Sequence, residues 1–101
     1  VAFSAGDSSD LKIFHDGTGC NIRSTSSKLE IRSPDLILQN SSAEKYFRGT
    51  SDGAVELFYD NVEKFRTNPS GIKVSGNIAC DGDNQKLILG AGDDLQIYHD
   101  G

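Results

Sequence analysis

The octapeptide Asp10-Leu11-Lys12-Ile13-Phe14-His15-Asp16-Gly17 returns as Asp94-Leu95-Gln96-Ile97-Tyr98-His99-Asp100-Gly101, 84 residues on, with six of the eight positions identical. Such a match inside 101 residues is not a product of chance, and it narrows the architectures open to the chain. A closed globular domain does not ordinarily begin and end on one motif, whereas stacked units do, each covering the open edge of the last. Upstream, Ala5-Gly6-Asp7 returns as Ala91-Gly92-Asp93 at an offset of 86, which reads Ser8-Ser9 as a two-residue insertion in a turn. A looser copy, Val55-Glu56-Leu57-Phe58-Tyr59-Asp60-Asn61, lies 44 residues after the first motif and 40 before the last. Half-repeats are therefore expected over residues 10–53 and 54–93, with a further unit starting at 94.

Each copy is written as a strand running into a turn. Leu11 and Ile13 alternate with Lys12, which gives one apolar face at period two, and Asp-Gly or Asp-Asn follows with residues that tolerate positive φ. The clearest hairpin joins Val55–Tyr59 to Val62–Arg66 through Asp60-Asn61. Lys28-Leu29-Glu30-Ile31-Arg32 alternates strictly and predicts a half-buried strand ended by Pro34. Asp35–Gln39 and Ile72–Val74 predict short strands, Leu87–Leu89 a buried one, and Asn68-Pro69-Ser70-Gly71 a turn. Ser41-Ser42-Ala43-Glu44 has capping-box spacing, but no amphipathic run follows it, so loop or strand is the better reading. The fold class expected is all-β, an elongated repetitive fibre of short strands and hairpins.

Composition excludes several partners. With 10 basic against 15 acidic side chains and the basic ones scattered, the chain lacks the stripe that neutralises phosphates, so nucleic acid is not expected as a partner. The longest apolar runs, Leu36-Ile37-Leu38 and Leu87-Ile88-Leu89, are too short for a membrane-spanning helix, and no membrane insertion is expected. Eleven glycines and an apolar share of 36% allow only a thin core. The absence of Met and a start inside a strand-like stretch read as a segment of a longer protein.

Three stretches carry a resemblance. Residues 90–101, Gly53–Phe65 and Ser70–Ile78 resemble the repeats of tail-fibre and tail-associated structural proteins of tailed phages, in particular those of marine and cyanobacterial hosts. The likeness covers most of the chain and is weakest over 33–50. It implies a virion location, a homotrimeric β-helix-like or β-prism-like shaft, and an adhesive tip elsewhere in the fibre that meets a host surface glycan or protein. Trimerisation around a common axis would also explain how a thin core suffices.

No catalytic, cofactor or metal site is expected. His15 and His99 each precede Asp-Gly and could orient an imidazole or bind metal, but the middle copy has Tyr59 there, which is what a packing position tolerates. Asp81-Gly82-Asp83-Asn84 lacks the remainder of a calcium loop and reads as an acidic turn. Gly90-Ala91-Gly92 is followed by no helix pattern and is not a dinucleotide fingerprint. Cys20 and Cys80 read as two half-buried small side chains, with a disulfide as the alternative. The motif residues themselves, 10–11, 13–17, 55, 57–61, 94–95 and 97–101, are read as structural. Three other functions stay open: a glycan-binding domain, for which Tyr46-Phe47 would be the aromatics that break the repeat, a cellular extracellular β-solenoid filament, and a hydrolytic tailspike, which would need acidic pairs in a groove that the sequence does not locate.

Overall fold

Short alternating runs separated by turn residues can satisfy their backbone only by pairing with one another, and the computed structural model is all-β in that way. It describes residues 2–5 and 10–101, and among them there is no helix. The chain divides into two compact units, Val1–Ser33 and Pro34–Gly101. All strand pairings are antiparallel.

The first unit contains β1 (Ala2–Ala5), β2 (Leu11–His15) and β3 (Cys20–Ser24), hydrogen-bonded in chain order. The second holds a five-stranded meander, β4 (Asp35–Gln39), β5 (Lys45–Thr50), β6 (Val55–Tyr59), β7 (Val62–Asn68) and β8 (Gly71–Val74), and a two-stranded hairpin, β9 (Lys86–Leu89) with β10 (Leu95–Tyr98).

The three copies of the motif are β2, β6 and β10, and each is the second strand of a hairpin in one common register. Phe3 faces Ile13, Phe47 faces Leu57 and Leu87 faces Ile97; two positions on, Ala5 faces Leu11, Gly49 faces Val55 and Leu89 faces Leu95. Between these last pairs lie residues 6–10, 50–54 and 90–94, five in every case. The offset of 84 therefore holds through both strands, Ala5 corresponds to Leu89 rather than Ala91, and no insertion at Ser8-Ser9 is needed. Residues 6–9 themselves lie outside the described residues.

Local chemistry explains which segments close. Asp60 and Asn61 take φ of 49° and 61°, the two positive values of a type I′ turn, so Tyr59 faces Val62 directly. Asn68 faces Gly71 across Pro69-Ser70, with Gly71 at φ 143°, a value only glycine takes without strain. Asn40 organises the β4–β5 turn, its Oδ1 accepting from Ser42 N at 2.9 Å and Glu44 N at 3.0 Å; no helix forms there. The strand expected at Lys28–Arg32 is absent from every sheet. Its alternation is real, because Glu30 pairs with Lys28 at 2.8 Å and Arg32 at 2.7 Å on one side, but the preceding Thr25-Ser26-Ser27 has neither Gly nor Pro to fold it back on β3. In the same place after β7, Pro69-Ser70-Gly71 folds β8 back.

No described side chain is buried. Leu87–Leu89 forms a strand but an exposed one, which corrects the buried strand expected there, and the two cysteines are free and exposed rather than half-buried.

Candidate functional site

Antiparallel register places alternate residues of neighbouring strands on one face. In the five-stranded sheet, Leu38, Phe47, Leu57, Phe65 and Val74 are successive cross-strand partners, so one apolar row crosses all five strands. Beside it run Leu36, Gly49 and Val55, then Thr67 and Ile72, with Val55 N donating to Thr67 Oγ1 at 3.0 Å. The opposite face carries Ile37, Arg48, Glu56, Arg66 and Lys73 in register. Arg48 reaches Asp35 at 3.3 Å, and Arg66 reaches Glu56 at 3.5 Å and Glu63 at 3.0 Å.

Neither face of the five-stranded sheet holds a buried side chain. The Glu56 side chain is 15% exposed beneath its arginine, while Leu57 is 44% exposed and Leu38 52%. A sheet in water normally packs its apolar face and leaves the charged one wet. Here the apolar face is left open just as the charged one is, where the Arg48 and Arg66 side chains are 38% and 41% exposed.

The same face recurs in the other sheets. Ile13 faces Ile22 in the first unit, and Leu87 and Leu89 face Ile97 and Leu95 in the last hairpin; of these, Ile13, Ile22 and Ile97 are exposed at 45%, 61% and 58%. The repeated aromatics Phe14, Phe58 and Tyr98 alternate onto the other side, where Arg23 lies 5.0 Å from the Phe14 ring centre and Lys86 Nζ 4.7 Å from that of Tyr98.

The histidines have a backbone role in both copies. Gly17 N donates to His15 Nδ1 at 3.2 Å and Gly101 N to His99 Nδ1 at 3.1 Å, so each imidazole closes the chain two residues on. Asp83 Oδ1 lies 3.6 Å from His99 Nδ1, beyond hydrogen-bond range, and that nitrogen already accepts from Gly101. Tyr59, the counterpart in the middle copy, ends its strand exposed to solvent.

Asp16, Asp60 and Asp100 do not share a turn. Asp16 starts a four-residue connection, since His15 faces Cys20, and not the two-residue turn expected of Asp16-Gly17. Its Oδ1 accepts from Thr18 N at 2.9 Å, Gly19 N at 2.8 Å and Thr18 Oγ1 at 3.1 Å, and its Oδ2 from Asn21 Nδ2 at 3.1 Å. Those donors, the Thr18 and Gly19 amides foremost, hold the carboxyl far below the usual aspartate range. Asp60 contributes backbone conformation instead, and Asp100-Gly101 follows β10 without a ladder partner among the described residues. Asp10 and Asp94 precede β2 and β10; the carbonyl of Asp10 accepts from Thr25 N at 2.9 Å.

Contrary to expectation, Phe47 does not break the repeat. It faces Leu57 where Leu87 faces Ile97, so it belongs to the apolar row. Tyr46 is the bulged residue, because Gln39 faces Lys45 while Leu38 faces Phe47, and it is 56% exposed. Sequence reasoning missed Phe47 because its strand partner, not its neighbours in sequence, marks its place.

Asp81–Asn84 folds as a turn in which Gly82 N donates to Gln85 Oε1 at 2.9 Å, and Gly90–Gly92 lies in the β9–β10 connection. Among the described residues no group of three or more His, Cys, Asp or Glu could hold a metal, and no helix is long and apolar enough to cross a membrane. A groove of about 440 Å³ lies between the β5–β6 connection and the β7–β8 turn, lined by Asp52, Ala54, Arg66 and Pro69 among others. Its arginine is engaged by Glu56 and Glu63 and offers no free cation to a ligand. No family model, curated protein or solved structure matches the chain. What the geometry can do is present one repeated apolar face to another surface.

Proposed function

We propose that the chain is a segment of a homotrimeric, β-rich shaft in the tail fibre of a virion, a spacer that carries an attachment tip towards a host cell. The observation that supports it is the uncovered apolar face, repeated in one register across all three hairpins. Such faces meet in an assembly made of equivalent copies, because each copy presents the same rows at the same spacing. Three-fold symmetry, the virion location and the tip's host glycan or protein rest on the resemblance of residues 53–65, 70–78 and 90–101 to phage fibre repeats. Chemistry plays no part in this role, and the histidines serve turns. A glycan platform at Tyr46-Phe47 is the weaker reading, since Phe47 belongs to the apolar row. The experiment is electron microscopy of proteins that carry two, four and six tandem copies of residues 10–93. A shaft gives rods whose length grows in proportion to copy number at constant width; compact particles of growing diameter would contradict it.

A further inference from the structure

The five-stranded sheet carries a strand that the last hairpin lacks. β9 corresponds to β5, since Leu87 faces Ile97 as Phe47 faces Leu57. On the side away from β6, β5 carries β4, whereas β9 carries nothing on the side away from β10 among the described residues. The repeat places the covering strand for this edge before β9, inside the described chain. Five residues, 40–44, separate Gln39 from Lys45, and five, 81–85, separate Cys80 from Lys86. The same place in each connection is left-handed, with Ala43 at φ 62° and Asn84 at φ 63°. Residues 36–39 of β4 therefore correspond to 77–80, yet 77–80 belongs to no strand and Ile78 is 79% exposed.

The bonds made by the two connections differ. Ala43 N donates to Asn40 O at 3.1 Å, and Asn40 Oδ1 gathers the Ser42 and Glu44 amides, so the β4–β5 turn closes. Asn84 N donates instead to His99 O at 2.8 Å, across to the end of β10, and Asp81 stands in the place of Asn40. With Asn84 held on β10, the turn that folds a strand back on β5 does not form before β9. An open edge, beside a strand-forming segment that its own connection keeps off it, is the arrangement from which strand exchange between copies arises.

We propose that the open edge of β9 binds residues 77–80 of a second copy of this chain. The register is that of β4 with β5 without its bulge: Asn77 opposite Leu89, Ile78 opposite Ile88, Ala79 opposite Leu87 and Cys80 opposite Lys86. It pairs Ile78 with Ile88, which is 44% exposed, and a slip of one residue turns Ile78 to the other face. Main-chain bonds supply the affinity, as in other strand additions to a sheet edge. The site rests on the association of copies in the proposed shaft and names the contact that joins them, each copy giving one strand and receiving one.

The test mixes two forms of the full chain, unfolded together in urea and refolded together, so that a link between them joins two copies. One form carries Cys20→Ser and keeps Cys80; the other carries Cys20→Ser, Cys80→Ser and Lys86→Cys. In a thiol–disulfide buffer, the thiol introduced at position 86 is expected to join Cys80 of the other form, because directly opposed residues bring their Cβ atoms within disulfide reach. The joining is at least about tenfold faster than with a donor carrying Cys20→Ser, Ala79→Cys and Cys80→Ser, whose thiol faces the other way. Sedimentation of the reduced mixture is read alongside. Equal joining of the two donors, or none between chains that sediment as an assembly, overturns the proposal and leaves the shaft standing. Chains that remain at the single-chain mass overturn both.

Discussion

Asp16 shows how one exposed carboxylate reinforces a turn that its own N–H closes onto the Gly19 carbonyl at 2.9 Å. Two amide N–H groups, a hydroxyl and the Asn21 amide converge on it, and all four favour the ionised form. Because its folded-state pKa is depressed, the stability it lends the β2–β3 turn is fully present above the ordinary aspartate pKa and is lost only as pH falls through the lower, folded value. In an acid titration followed by NMR, the amide shifts of Thr18 and Gly19 should hold through the range where free aspartate protonates and move below it; movement centred on the ordinary value would contradict the network. Asn61 acts through its backbone. It sits at φ 61° and its Oδ1 accepts from Lys45 N at 3.1 Å, tying the β6–β7 turn to the start of β5. Replacing it with valine forces a β-branched residue into the left-handed region, at a cost of ~1–2 kcal/mol, and removes a bond worth ~1 kcal/mol. Urea denaturation at fixed protein concentration should register a loss of about 2–3 kcal/mol for Asn61→Val, and a smaller one for Asn61→Gly.

The legibility of the elements follows how local their causes are. The β6–β7 hairpin was readable because Val55–Tyr59, Asp60-Asn61 and Val62–Arg66 contain both the alternation and the turn. Pro69-Ser70-Gly71 was readable for the same reason. Lys28–Arg32 alternates as well as any strand in the chain, and it stays unpaired because pairing needs a turn that Thr25-Ser26-Ser27 does not provide. The position of Phe47 depends on Leu57, ten residues on, and the four-residue turn at Asp16 depends on side-chain bonds that a dipeptide rule does not contain. The repeat was readable as spacing; the shared register, and hence the absence of an insertion, came from the pairing. Amide hydrogen exchange separates these cases. Amides of β5, β6 and β7, inside the five-stranded sheet, should be protected, and those of 28–32 should exchange at nearly the rate of an open chain. Protection across 28–32 comparable with that of β6 would mean that this segment has found a partner strand.

At the scale of the whole molecule, the chain has strands, registers and turns but no buried side chain among the described residues. An isolated two-stranded hairpin is marginal in water, and in the proposed shaft the further stabilisation comes from covering the apolar faces. Leu57 lies in the middle of the apolar row, and burying one leucine is worth ~1.5–3 kcal/mol per copy. Leu57→Asp should therefore dissociate the assembly, while Lys73→Ala on the charged face should change its stability by about 0.5 kcal/mol or less. The most direct measurement is the mass of the unaltered chain by sedimentation equilibrium at micromolar concentration. With a chain mass of 10.9 kDa, the account predicts a species of about three times that mass, which falls to the single-chain value with Leu57→Asp. A folded, cooperative species at 10.9 kDa that Leu57→Asp leaves unchanged would contradict it.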